Sequence, residues 1–271
     1  NNSAATAPSY GIMFPELLLH LPLSFNNSGI SSDISGYGHN AQLNGAVAHN
    51  ISVYGKGLNN VTNVSSDYAN VSNTASLNIG GTADSYTVML WGKTAVNAAR
   101  RAINKENTKN PYGLGTAADG TANFQLYDGT NNPIATSATN VVNATWFHLV
   151  GVRETATDLV RIYVNGVEEG NATDSTTGSI ADSTEIKIGK HPADVQFWRG
   201  SLDDIRIYNR TLTPDEIRNV YLNGLSKTIN PVEIVPDIIP PNVSAFTNPT
   251  NTTYSVNGNV SINYTVTDET A

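Results

Sequence analysis

The chain has 271 residues, 39% hydrophobic and 14% charged, with 22 glycines and 12 prolines, a balance suited to one large β domain or two ordinary ones. Its 15 Lys and Arg against 23 Asp and Glu give a net charge of −8, and no basic cluster interleaves with aromatics, which argues against a nucleic-acid partner. Cysteine is absent, which excludes disulfides and thiolate chemistry, and no apolar run approaches the roughly 18 residues of a membrane-spanning helix.

Residues 1–9 are small and polar, and 1–16 read as an N-terminal tail. An apolar strand follows from Leu17 to Leu23, broken by His20 and Pro22, and then a turn-rich loop, Asp33-Ile34-Ser35-Gly36-Tyr37-Gly38-His39-Asn40, of a kind that wraps a cation. Ala46 to Tyr54 and Tyr68 to Val71 are short strand candidates, separated by a turn region at Gly55 and Gly57. Tyr86 to Lys93 alternates cleanly, with Tyr86, Val88 and Leu90 on one face and Thr87, Met89 and Trp91 on the other. The segment Ala95 to Lys109 holds Arg100, Arg101, Lys105 and Lys109 and reads as a strand pair with a solvated loop.

Tyr112 to Thr116, Phe124 to Tyr127 and Trp146 to Arg153 are further strands, and Val160 to Val164 runs into Asn165-Gly166, the dipeptide of a type I′ hairpin turn. Glu185 to Ile188 and Leu202 to Tyr208 complete the set. In the last, Ile205 and Ile207 share one face and simple alternation puts the Asp203 carboxylate beside them, where it needs a cation, hydrogen bonds or water. Thr213, Pro214 and Glu216 form a helix start, Ile217, Val220 and Tyr221 recur at helical spacing, and Gly224 is the expected end of a helix of about ten residues.

Beyond it, Pro231, Pro236, Pro240 and Pro241 make residues 229–241 a stiff linker. Two strand candidates in 242–271 are too few to close an immunoglobulin-like sandwich, so a longer chain or strand addition from a neighbour completes them.

The strongest compositional bias is Asn, at 34 residues, beside 22 Ser and 29 Thr. Thirteen Asn-x-Ser/Thr triplets result, at Asn1, Asn26, Asn50, Asn60, Asn63, Asn70, Asn143, Asn171, Asn209, Asn242, Asn251, Asn259 and Asn263. This is about twice the number that shuffling gives, and it points to a glycosylated protein of the cell exterior.

The Asp33 to Asn40 loop, the strand Tyr86 to Trp91, the strand and hairpin from Trp146 to Gly166 and the closing Gly200-Ser201-Leu202-Asp203-Asp204-Ile205-Arg206-Ile207-Tyr208-Asn209-Arg210 stand in an order that resembles the laminin-G-like, concanavalin A-like jelly roll family over residues 17–228. The tail from Pro240, with Pro-Pro-Asn-Val-Ser and alternating Val, Ile and Tyr, resembles the opening of immunoglobulin-like repeats in microbial, including archaeal, surface proteins. The first resemblance implies an all-β, two-sheet sandwich with one short C-terminal helix, used as a binding or spacer module, often with one calcium. It makes Asp203 and Asp33 the expected calcium ligands.

Glucanases of this architecture set two acidic residues at alternate positions of one strand. Here Glu168-Glu169 and Asp203-Asp204 are adjacent, and His148 and His191 lack a nucleophile motif, so an enzyme is not expected. Two functions stay open. One is a non-enzymatic structural module of a surface layer or filament that associates with itself or its neighbours. The other is an adhesion module that binds a glycan or protein through Tyr112, Phe197 and Trp198.

Overall fold

The computed structural model describes residues 16–25, 28–45, 48–60, 67–191 and 196–229. The chain divides into two units, 1–231 and 232–271, and all the described residues lie in the first. The expected immunoglobulin-like segment, 242–271, therefore lies outside the described residues.

In chain order the strands are β1 (Leu17–Leu21), β2 (Ile30–Ser31), β3 (Ala41–Asn44), β4 (Ala48–Ser52), β5 (Gly55–Asn60), β6 (Tyr68–Val71), β7 (Tyr86–Thr94), β8 (Arg100–Lys105), β9 (Asn110–Thr116) and β10 (Thr121–Tyr127). They continue with β11 (Ile134–Asn140), β12 (Trp146–Glu154), β13 (Leu159–Val164), β14 (Val167–Thr173), β15 (Ile186–Ile188) and β16 (Gly200–Tyr208), and helix α1 (Pro214–Ile229) closes the series. Two antiparallel sheets result. The first runs β14-β13-β12-β7-β16-β5-β4, with β1 also paired to β16, and the second runs β11-β10-β9-β8-β15-β6-β3-β2. The fold is an all-β jelly roll sandwich with one C-terminal helix.

Period-two alternation builds the interior. Tyr86, Val88 and Leu90 of β7, Leu149 of β12 and Ile205 and Ile207 of β16 meet Tyr112 and Leu114 of β9, Phe124 and Leu126 of β10 and Ile186 and Ile188 of β15 in one continuous core. The other face of the first sheet is covered too. Met89, Val150, Val152 and Tyr163 form a smaller cluster with Leu212 and Ile217 at the start of α1.

The helix begins as its sequence dictates: the Glu216 amide donates to the Thr213 hydroxyl (3.2 Å) and the Thr213 amide to the Glu216 carboxylate (2.8 Å). It does not stop at Gly224. That residue lies inside the helix against the Trp91 indole, where an added Cβ would stand 2.3 Å from a ring carbon, so the glycine serves close approach instead of termination. At the β13–β14 hairpin Asn165 and Gly166 both have positive φ, 51° and 81°, as the type I′ turn requires.

Four readings of the sequence need correction or refinement. Gly55 and Gly57 belong to β5, which pairs with β4 along its whole length, and Ile134–Asn140 is an additional strand. The basic segment is the expected strand pair, β8 with β9, joined by a loop in which Asn107 and Thr108 are exposed, but two of its basic residues are buried: Arg101 is 7% exposed and Lys105 0%. Finally, the register of β16 shifts by one residue between Asp203 and Arg206, with Asp204 in the left-handed region at φ 47°. Leu202 and Ile205 thus both face the core, while Asp203 stands opposite Trp91, on the face that carries the helix.

His148 lies under that helix, 0% exposed, with its ring 5.2 Å from that of Trp91 and 6.3 Å from that of Tyr221. Burial holds its pKa down to about 3, with Asp204 raising it and Arg206 lowering it. A base with a lowered folded pKa leaves the unfolded chain to bind the extra proton, so its contribution is intact above pH 6.5 and is lost as pH falls toward 3. Asp203, with its pKa raised to about 6, acts in the opposite sense between that value and its ordinary 3.8. Replacing His148 by Phe removes the first effect alone. The stability difference between variant and wild type, from urea melts, will move in the variant's favour by about 1.4 kcal/mol per pH unit below 6.5; a pH-independent difference would show the imidazole to be solvated.

Candidate functional site

The expected metal carboxylates come first. Asp33 Oδ1 accepts from the amides of His20 and Ser35, both at 2.9 Å, and Oδ2 accepts from the Ser35 hydroxyl at 2.7 Å and the His39 amide at 2.9 Å. Four donors thus occupy its acceptor positions, and it ties its loop to β1. Asp203, 0% exposed, accepts from the Tyr54 amide through Oδ2 and from the Asp204 amide through Oδ1, both at 2.7 Å. Burial is the main cause of its raised pKa. The carboxylate beside it, Asp204, would also be raised by burial, yet His20 (2.7 Å) and Arg206 (2.8 and 3.0 Å) bring it below the ordinary range.

Calcium takes six to eight oxygens, and no group of three or more His, Asp or Glu converges among the described residues. Asp33 and Asp203 do not fit that ion as they stand. The aromatic expectation is corrected as well. Tyr112 is 0% exposed in the core, and Trp198 is 0% exposed, with its ring 6.2 Å from Phe147 and its indole N–H on the Ser201 carbonyl (3.2 Å). Only Phe197, half-buried and bridged to Lys190, keeps part of its surface.

The outer face of the second sheet is a different case. By register, Gln42 of β3, Asn70 of β6, Lys187 of β15, Asn104 of β8, Gly113 of β9 and Gln125 of β10 stand side by side on the face away from the core. A face of that kind usually meets water, yet Asn104 and Asn110 are 0% exposed, Arg101 7% and Asn123 9%. Gly113 and Gly115 lower the floor at β9, and the Arg101 guanidinium lies along it, bonded to Asn123 Oδ1 (3.0 Å) and Gln125 Oε1.

Asn104 and Asn110 donate to Glu106 (3.1 and 3.4 Å), which pairs with His191 at 3.2 Å. That imidazole and Asn104 together hold the Glu106 carboxyl below its usual range in spite of burial. Lys187 and Lys190 place their ammonium groups 4.6 and 4.3 Å from the centre of the Tyr68 ring. Three atoms of this floor, Arg101 Nε, Asn104 Oδ1 and Asn110 Oδ1, are buried without a hydrogen-bond partner. The signal that could have found the face was the alternation of Gly113 and Gly115 with Tyr112 and Leu114, and of Asn123 and Gln125 with Phe124 and Leu126.

A second concavity, about 440 Å³, opens between β1, β16 and α1 and is lined by Glu16, His20, Arg206, Tyr208, Arg210 and Glu216 among others. Its charges are already matched: Arg206 with Asp204, and Arg210 with both Glu16 (3.0 Å) and Glu216 (2.6 Å).

The sequons divide by position. Asn1, Asn26, Asn63, Asn242, Asn251, Asn259 and Asn263 lie outside the described residues, and Asn50 and Asn60 lie in β4 and β5. Asn143, Asn171 and Asn209 are exposed, and Asn143 forms an Asx turn with its own sequon threonine, accepting from the amide (3.0 Å) and hydroxyl (2.6 Å) of Thr145. Asn70 sits on the polar face with its amide donating to Glu185 (2.6 Å).

Replacing Asp33 by Ala removes an acceptor from three backbone amides and will cost about 3 kcal/mol, read as a fall in Tm. Millimolar calcium will leave the wild-type Tm unchanged, and a rise on adding calcium would return the ion to the Asp33 loop.

Residues 63–218, more than half of the chain, match the model of a laminin G family described as the concanavalin A-like lectin/glucanases superfamily. No curated protein sequence matches. Among solved structures, the binding domain of Paraclostridial mosquitocidal protein 1 superposes with a TM-score of 0.63 at 15% identity, covering 76% of this chain and 52% of that one. The botulinum neurotoxin DC binding domain in complex with SialylT gives 0.60 at 15% identity, with 77% and 52% covered. Domain 4 of an extracellular arabinanase from Geobacillus stearothermophilus, in complex with arabinotriose, gives 0.57 at 18% identity, with 76% and 98% covered. The chain thus spans about half the length of the toxin domains and matches nearly the whole of the arabinanase domain. It belongs to the concanavalin A-like lectin/glucanases superfamily, as a laminin G type jelly roll.

Proposed function

We propose that this chain is a non-catalytic glycan-binding module of a glycosylated protein of the cell exterior, with the recessed outer face of the second sheet as its ligand seat. The observation that carries the reading is the row of accessible polar side chains, Gln42, Asn70, Lys187 and Gln125, on a face turned away from the core, above a buried floor in which Arg101 Nε, Asn104 Oδ1 and Asn110 Oδ1 lack a partner. Amides and an ammonium group match the hydroxyl groups of a sugar, which both donate and accept. The half-exposed Tyr68 and Tyr127 supply flat apolar surface at opposite parts of the face. The arabinanase domain solved with arabinotriose and the toxin domain solved with SialylT support the reading by likeness of fold. A protein ligand is the other expectation for an adhesion module, and the polar row favours a hydroxyl-rich ligand over it.

Assembly into a surface layer or filament rests on residues 242–271, outside the described residues, and no observation favours it over binding. Exposed Asn143, Asn171 and Asn209 are the proposed glycan attachment sites of the sandwich, ahead of the less exposed Asn70.

A glycan microarray, followed by calorimetry with the best hit and with arabinotriose, tests the seat. Gln125→Ala and Tyr68→Ala will each weaken binding about tenfold, roughly 1.4 kcal/mol, without lowering Tm by more than a few degrees. A blank array, or binding that neither variant weakens, would overturn the assignment.

A further inference from the structure

Away from that face, one ionisable group has no use in the proposed function. Lys105 of β8 points into the sandwich, in register with core residue Tyr112, and is 0% exposed. Its ammonium donates to Asn73 Oδ1 and to the Leu77 carbonyl (2.8 Å), and among the described residues it forms no ion pair. Both acceptors are neutral. A buried cation without a counter-ion is expensive, and an apolar side chain at that position would avoid the penalty. Burial lowers the Lys105 pKa to about 8, and the charge acting against that trend is Asp182, itself 7% exposed. A nucleophilic amine and a carboxamide in contact with it are the two reacting groups of an amide exchange.

We infer that Lys105 and Asn73 are the site of a self-catalysed isopeptide cross-link. The Lys105 Nζ lone pair attacks Asn73 Cγ and forms the Nζ–Cγ bond. Within the tetrahedral adduct the proton lost by Nζ passes to Asn73 Nδ2, the Cγ–Nδ2 bond breaks, and ammonia leaves. Amine and carboxamide become secondary amide and ammonia, with no oxidant, reductant or cofactor. The product ties β8 to the loop that follows β6 across the intervening strand β15, and it removes the buried charge.

The test is the intact mass of the full chain made in a bacterial cytosol, without glycans, measured after denaturation. The expected mass is about 17 Da below that of the sequence, the weight of one ammonia, with a branched peptide joining Lys105 and Asn73 in the digest. Asn73→Ala will restore the full mass, as will Lys105→Met. A wild-type chain that keeps the full sequence mass after days at pH 8.5 would overturn the inference. So would a loss of 17 Da that maps to a succinimide at an Asn-Gly pair.

Discussion

Strand β16 is the constraint on which the sandwich depends, because it has to serve three partners. One flank runs along β7; the other meets β5 over Gly200–Leu202 and β1 over Ile205–Tyr208. A strand cannot pass from one neighbour to another without a break in its ladder, and the extra residue Asp204, held at φ 47°, is that break. The interruption leaves backbone amides unpaired, and the two carboxylates stand where the amides and the incoming side chains are. Asp203 accepts from Tyr54 and Asp204, and Asp204 takes His20 from β1 and Arg206 from its own strand. The adjacent acids are therefore structural. One replaces missing ladder bonds, and the other carries the charge that fastens β1.

The same seam shows why some of the fold was legible in the sequence and some was not. Alternation revealed β7, β12 and β13 because each has one face in the core, and Asn165-Gly166 and the Thr213–Glu216 pair act locally, so their spacing carries their structure. β5 and β11 were hidden for a physical reason: most of their residues are Gly, Ala, Asn, Ser and Thr, which pair through the backbone and contribute little apolar patterning. A one-residue bulge reverses the face of every residue before it, so alternation carried back from Ile205 placed Asp203 on the wrong side. Tyr112 and Trp198 were misread because the same rings that stack on sugars also fill cores, and only the second sheet's position decides which.

The candidate seat was the least legible part. Arg100, Arg101, Lys105 and Lys109 were read as part of a strand pair with a solvated loop, and the pairing sends Arg101 and Lys105 to opposite faces of one sheet. Arg101 becomes the floor of a polar recess and Lys105 becomes a buried amine in the sandwich. Nothing within the segment itself announces this. The partners are Asn123 and Gln125 for one and Asn73 and Leu77 for the other, all about twenty residues or more away in sequence.

Two regions compete for a ligand, and their electrostatics separate them. In the recess between β1, β16 and α1 each guanidinium already meets a carboxylate, so an entering ligand would have to break pairs to gain contacts. On the second sheet the polar groups are buried, but not all are satisfied. Each unmet donor or acceptor there costs on the order of 1–3 kcal/mol in the unliganded protein, and a ligand that supplies the missing partner recovers that penalty on binding. Folding alone gives no reason to keep such a floor, since leucine or valine at Asn104 and Asn110 would cover the sheet at lower cost. A ligand does give a reason. The asymmetry also favours hydroxyl-rich compounds over apolar ones, because an apolar occupant would leave the same three atoms without partners and displace whatever water reaches them.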